Sequence, residues 1–148
     1  MQPEFDEEEN QPDELIDTVE ILLPIREQKL IRLKRTLIEE KDRLREMNQD
    51  LKQGEQRLSI FREKYKKSLA DFSNNHTGVI LQHEKLLRTL EAERLSRSRL
   101  LKQESDNQSL AERITQQMDV IDRAGEAVLV CQKEIEKLEY ILDEKDMI

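Results

Sequence analysis

The stretch LIRLKRTLIEEKDRL, residues 30–44, places a leucine at every seventh position. The same spacing continues in both directions along one row of apolar residues: Leu23, Leu30, Leu37, Leu44, Leu51, Leu58, Tyr65 and Phe72. In a second row, apolar and non-apolar residues alternate: Arg26, Leu33, Glu40, Met47, Gly54, Phe61 and Ser68. A seven-residue apolar period sustained this long specifies an α-helix that supercoils against another helix.

Residues that favour helix starts and helix ends mark both ends of this first helix. Pro24 suits a first helical turn, where its missing N–H has no intrahelical partner. The segment DFSNNHTG, residues 71–78, concentrates Ser, Asn, Thr and Gly, which cap helices and form turns. The sequence therefore predicts a helix over about 24–72 and a loop over 73–78.

The apolar seam resumes after this loop and predicts a second helix over about 79–146. It fades through residues 96–109 and is strong again towards the C-terminus. The predicted seam positions are Val79, Leu86, Leu90, Leu110, Ile114, Met118, Ile121, Ala124, Val128, Cys131, Ile135, Leu138 and Leu142. Two long helices around one polar loop are typical of a helical hairpin.

The distribution of charge favours an antiparallel pairing of the two helices. Residues 26–72 carry 14 basic and 9 acidic residues, whereas residues 73–148 carry 11 basic and 15 acidic residues. The fold class is therefore all-α, a long antiparallel two-helix coiled-coil hairpin. Folding about residue 75 predicts that Arg26 lies near Asp119 and Asp122, and that Gly54 lies near Arg97 in a weakly packed waist. The rival topology is a parallel dimer in which each helix pairs with a second copy.

The main core of the hairpin is expected from ten seam residues. These are Leu30, Leu37, Leu44, Leu51, Leu58, Ile114, Ile121, Val128, Ile135 and Leu138. Cys131 lies in the same apolar stripe and is interpreted as a small core residue.

The N-terminal region differs in composition from the hairpin. Residues 1–25 hold nine acidic and no basic residues, and residues 1–13 are too polar to bury themselves, which predicts a disordered acidic tail. The amphipathic segment at 14–23, within DELIDTVEILL, has two interpretations. It is either a short docking helix or the start of the coiled coil.

Composition and motifs predict no catalytic chemistry. Charged residues make up 39% of the chain and aromatic residues 3%, and there is one cysteine. No Gly-rich phosphate loop occurs, and one cysteine with two histidines, His76 and His83, does not make a zinc site. We therefore expect no enzyme activity, no cofactor and no metal. The acidic N-terminus and the lack of a long apolar run predict a soluble cytoplasmic protein without a transmembrane segment.

A basic cluster opens the first helix and is the candidate partner-binding site. Its members are Arg26, Lys29, Arg32, Lys34 and Arg35. The acidic tail that precedes the cluster repels phosphate, which argues against nucleic-acid binding. The cluster is either the structural partner of the acidic second helix or a docking surface for an acidic protein.

Two stretches resemble the small stalk proteins of bacterial type III secretion. They are LLPIREQKLIRLKRTL near the start and AGEAVLVCQKEIEKLEYILDEK near the end. This family includes the flagellar export protein FliJ and its virulence counterparts YscO and HrpO, and the resemblance covers residues 20–145. It implies an antiparallel hairpin, similar to the central stalk of rotary ATPases. It also implies partners: the secretion ATPase, an export-gate protein and secretion chaperones.

The resemblance implies a non-catalytic stalk at the cytoplasmic face of a bacterial secretion apparatus. The open end of the hairpin, residues 20–40 and 115–145, would enter the ATPase ring, and the loop would be the far tip. The alternative function is a generic cytoplasmic coiled-coil scaffold or tether subunit of a multiprotein complex. A third is a chaperone or adaptor that docks through DELIDTVEILL.

Overall fold

The computed structural model consists of two long α-helices, α1 from Pro3–His76 and α2 from His83–Met147. It describes the backbone of residues 3–76 and 83–147, and the side chains of residues 13–73 and 83–145. The two helices pack against each other, which confirms the predicted all-α hairpin. Early residues of α1 contact late residues of α2, as in the ion pair between Arg26 and Glu134, so the helices run antiparallel.

The helices are organised into two compact units. Unit 1 comprises Met1–Asp42 and Met118–Ile148, and unit 2 comprises Arg43–Gln117. Each unit contains one segment of α1 packed on one segment of α2.

The first helix begins earlier than the proline and the acidic composition predict. Its backbone is helical from Pro3, so residues 3–13 are helical where a disordered tail was expected. Pro3 occupies the position that proline favours at a helix start. Pro24 lies inside α1 rather than in its first turn. A proline there removes one backbone hydrogen bond of the helix.

The end of α1 also differs from the predicted loop. Residues 73–76 are helical, and α2 starts at His83. Residues 77 and 78 of the predicted loop lie outside the described residues, and so does the predicted seam residue Val79. Asn and Ser are tolerated in a last helical turn, so their presence does not fix where that turn ends.

The pairing register differs from the predicted fold-back about residue 75. The numbers of paired residues add to 160 for Arg26 and Glu134 and to 161 for Gly54 and Asn107, rather than to 151. Arg26 therefore pairs with Glu134 instead of lying near Asp119 and Asp122. α1 continues to His76, past the predicted start of the loop, and both α1 residues lie opposite later residues of α2 than predicted.

The core of unit 1 is a narrow apolar seam. Its most buried side chains are Val19, Val128, Cys131 and Ile135. Cys131 is 1% exposed, and its Sγ lies 3.4 Å from the backbone oxygen of Arg26. Val19 packs in this seam, so the segment 14–23 is the start of the coiled coil in this structure rather than a separate docking helix.

The seam of unit 2 contains both apolar and polar side chains. Met47, Ile114 and Gln117 are buried, and Gly54 lies against α2. The sequence predicted Leu90 of unit 2 and Met118 of unit 1 as seam residues, but they are 44% and 48% exposed. The seven-residue spacing explains both errors, because the half-buried Thr89 and the buried Gln117 occupy the adjacent seam positions.

Candidate partner-binding surface

The five residues of the predicted basic cluster have different environments in unit 1. Arg26 is half-buried, and its Nε lies 3.5 Å from Oε2 of Glu134, so its charge is used within the hairpin. Lys29 is also half-buried. Arg32, Lys34 and Arg35 are exposed, and we refer to these three residues as the basic patch. Of the five predicted residues, the three of the basic patch are therefore the ones accessible to a partner.

Large apolar side chains share this stretch of α1 with the basic patch. Ile21, Ile25, Ile31 and Ile38 are between 51% and 65% exposed. Counted from the seam rows that contain Leu23 and Arg26, they occupy the b, c and f heptad positions, which are farthest from α2. We refer to these b, c and f positions of residues 14–38 as the outer face of α1.

All ten predicted core residues are buried or half-buried. Ile114, Val128 and Ile135 are buried. The others are half-buried: Leu30, Leu37, Leu44, Leu51, Leu58, Ile121 and Leu138. They are packing residues, so a partner would contact other side chains.

Polar residues that the sequence reading missed form part of the seam of unit 2. Gln103 Nε2 donates a 2.8 Å hydrogen bond to Asn107 Oδ1, and Asn107 packs against Gly54. Asn107 Nδ2 is buried without a hydrogen-bond partner among the described residues. The signal was present in the sequence: seven-residue steps backwards from Ile114 reach Asn107, Leu100 and Glu93.

The hydrogen bond between Tyr65 and Glu93 is the second polar contact of this seam. Tyr65 Oη donates to Glu93 Oε1 over 3.2 Å. Partial burial, and then the hydrogen bond and the charge of Glu93, raise the pKa of the Tyr65 phenol. Arg62 and Glu104 form an ion pair of 3.5 Å in the same unit.

A shallow groove on α2 lies on the surface of unit 1. It has a volume of about 500 Å³ and is lined by Lys133, Glu136, Lys137, Tyr140 and Ile141. A hydrogen bond to Glu144 raises the pKa of the Tyr140 phenol, and that side chain is 63% exposed. The groove is formed by one helix and contains no histidine or cysteine.

Within the part of the chain that the structure describes, no group of three or more His, Cys, Asp or Glu side chains is arranged to hold a metal ion. Cys131 is buried in the seam, and His83 is exposed. Across residues 3–76 and 83–147, neither helix has a segment apolar enough to cross a membrane.

Comparison of the chain with protein-family models, curated proteins and solved structures found no match.

Proposed function

We propose that this chain is a non-catalytic central stalk or adaptor of a bacterial type III secretion system. In this role, unit 1 docks into the ring of the secretion ATPase. The chain links that ring to the export-gate protein and to secretion chaperones at the cytoplasmic face of the apparatus. The proposal rests on the resemblance of residues 20–145 to the secretion stalk family and on the exposed basic patch.

The observation that carries the proposal is the position of the basic patch on the antiparallel helix pair of unit 1. Unit 1 contains an early segment of α1 and a late segment of α2, packed as one antiparallel pair. Arg32, Lys34 and Arg35 are exposed on that pair, whereas Arg26 is held by Glu134. Exposed cations steer a protein towards an acidic surface and raise the rate of encounter, which would favour docking into a ring with an acidic lumen.

The test is stimulation of the secretion ATPase encoded in the same genome. The variant Arg32→Glu/Arg35→Glu reverses two charges of the basic patch. We expect about a tenfold increase in the concentration that gives half-maximal stimulation, since reversed charges repel the same surface. The matched control is Lys64→Glu/Lys67→Glu, which changes two exposed cations at the same spacing in unit 2. Equal effects of both double variants would contradict the proposed docking of unit 1.

The second candidate function is a coiled-coil scaffold or tether, and the exposed isoleucines of α1 favour it. Ile21 and Ile38 are 65% and 60% exposed, and further helices would cover such side chains in a larger assembly. A scaffold would bind helical partners without changing the ATPase rate. The wild-type stimulation assay therefore separates the two candidates.

A further inference from the structure

The outer face of α1 combines exposed isoleucines with two groups of opposite charge. Glu14 and Asp17 precede Ile21 and Ile25, and their side chains are exposed. Arg32 and Arg35 follow, and their side chains are also exposed. These four charged residues occupy b, c or f heptad positions, as the isoleucines do. One continuous surface therefore presents an acidic end, an apolar middle and a basic end.

The two charged groups are symmetric about the Pro24–Ile25 peptide bond. Asp17 and Arg32 are equally far from it along the chain, and so are Glu14 and Arg35. An antiparallel α1 of a second copy, centred on this bond, would place each acidic residue at the level of a basic one. A two-fold interface requires such self-complementarity, because each patch meets its own copy in reverse.

The middle of the outer face supplies the apolar surface that the centre of an interface needs. Ile21, Ile25 and Ile31 lie near the symmetry point, and each is more than half exposed. An apolar centre flanked by charges is the usual composition of a protein interface, where the charges set register and exclude wrong partners. A parallel arrangement would bring like charges together and is disfavoured.

We propose that the outer face of α1 is a self-docking surface, on which a second copy of this chain packs antiparallel, centred on Pro24 and Ile25. The resulting dimer places two hairpins side by side through their α1 helices. We infer this interface from the charges and exposure of α1, without reference to the proposed secretion function. It covers Arg32 and Arg35, so self-docking and binding of an acidic partner at the basic patch exclude each other.

The experiment is sedimentation equilibrium of the full chain at low ionic strength, without any ATPase. The wild type is expected to be a dimer whose affinity falls as salt is raised, since exposed charge pairs are screened. Arg32→Glu/Arg35→Glu and Glu14→Lys/Asp17→Lys are each expected to weaken the dimer by about tenfold or more. Ile25→Glu is expected to weaken it as well, and circular dichroism verifies that each variant keeps its helicity.

The decisive comparison is charge exchange. Mixing the two double variants should restore a dimer, because each acidic group then meets a basic one. The quadruple variant Glu14→Lys/Asp17→Lys/Arg32→Glu/Arg35→Glu should also dimerise, since its charges are exchanged but still complementary. A monomeric wild type, or a dimer that neither double variant weakens, would overturn the proposal. So would a mixture in which the two variants do not associate.

Failure of this proposal is distinguishable from failure of the stalk proposal. Glu14→Lys/Asp17→Lys leaves the basic patch intact, so it should weaken the dimer while stimulation of the ATPase persists.

Discussion

At the scale of single residues, the stability of unit 2 depends on a few buried side chains. Ile114 is 6% exposed, whereas Ile60 of the same unit is 53% exposed. We expect Ile114→Ala to lower the free energy of unfolding by about 2–5 kcal/mol, because it leaves a cavity between the helices. Ile60→Ala, the matched control, should change it by no more than about 0.5 kcal/mol. Urea unfolding followed by circular dichroism measures both, and equal losses would contradict the burial of Ile114.

The phenol groups give a second prediction at this scale. The chain has two tyrosines, and the surroundings of Tyr65 and Tyr140 raise the pKa of both phenols. The folded chain then holds these protons more tightly than the unfolded chain. The contribution of these phenols to the free energy of unfolding is present below the pKa of the unfolded chain, about 10. It is lost as the pH rises through their pKa in the folded chain.

Ultraviolet absorbance of the tyrosinate ion tests this directly. The native protein should titrate at higher pH than the protein in guanidinium chloride. In Tyr65→Phe the remaining phenol, Tyr140, should still titrate above its denatured value. Coincident native and denatured curves would show that neither hydrogen bond persists in solution.

The ten core residues expected from the sequence are buried or half-buried, and their spacing depends only on helix geometry. The sequence prediction failed at Leu90 and Met118, where an apolar residue lies beside a seam position that is polar. Hydrophobicity alone selects Met118, while the seven-residue spacing selects Gln117, which is 8% exposed. Whether a polar side chain is accepted in a seam depends on its partners across the interface, and those are set by the register.

At the scale of elements, the contact between Gly54 and Asn107 is where α1 and α2 of unit 2 approach each other with little apolar packing. A Cβ added at residue 54 would collide with Asn107 Oδ1, and Asn107 Nδ2 is buried without a partner among the described residues. Gly54→Ala adds helix propensity, but this gain is opposed by the collision. Asn107→Ala removes both the obstacle and the unpartnered amide.

We therefore expect the two substitutions to be coupled. The double variant Gly54→Ala/Asn107→Ala should be more stable than the wild type by about 1–2 kcal/mol. Gly54→Ala should contribute more in the Asn107→Ala background than in the wild type. A double-mutant cycle by thermal or urea unfolding measures this coupling. Strict additivity would mean that the two residues do not meet.

The sequence was sufficient to predict that both segments are α-helical, but not where the helices end or in which register they pair. Pro24 is a helix-start signal by local preference, but α1 continues through it from Pro3. The cost of an internal proline, about 3 kcal/mol, is opposed here by the packing of Val19 in the seam of unit 1. The predicted register assumed a fold-back about residue 75, but α1 is still helical there, so both predicted pairs were displaced along α2.

At the scale of the whole molecule, the uneven charge is the feature that connects sequence to the proposals. The chain has a net charge of −8, and its N-terminal 25 residues contain acids only. The basic half that follows pairs partly within the hairpin, as Arg26 does with Glu134, and partly remains exposed as the basic patch. The sequence identified the basic cluster, but only the structure distinguishes Arg26, which pairs within the hairpin, from the three exposed residues of the basic patch.

The most direct test of the stalk proposal is crosslinking mass spectrometry of the chain recovered from its native host. An affinity tag inserted between His76 and His83 leaves unit 1 unaltered. We predict lysine crosslinks from Lys29, Lys34 and Lys137 of unit 1 to a hexameric secretion ATPase, with no such crosslinks from Lys64 or Lys67 of unit 2. Recovery of other coiled-coil proteins without any ATPase would contradict the stalk and favour the scaffold.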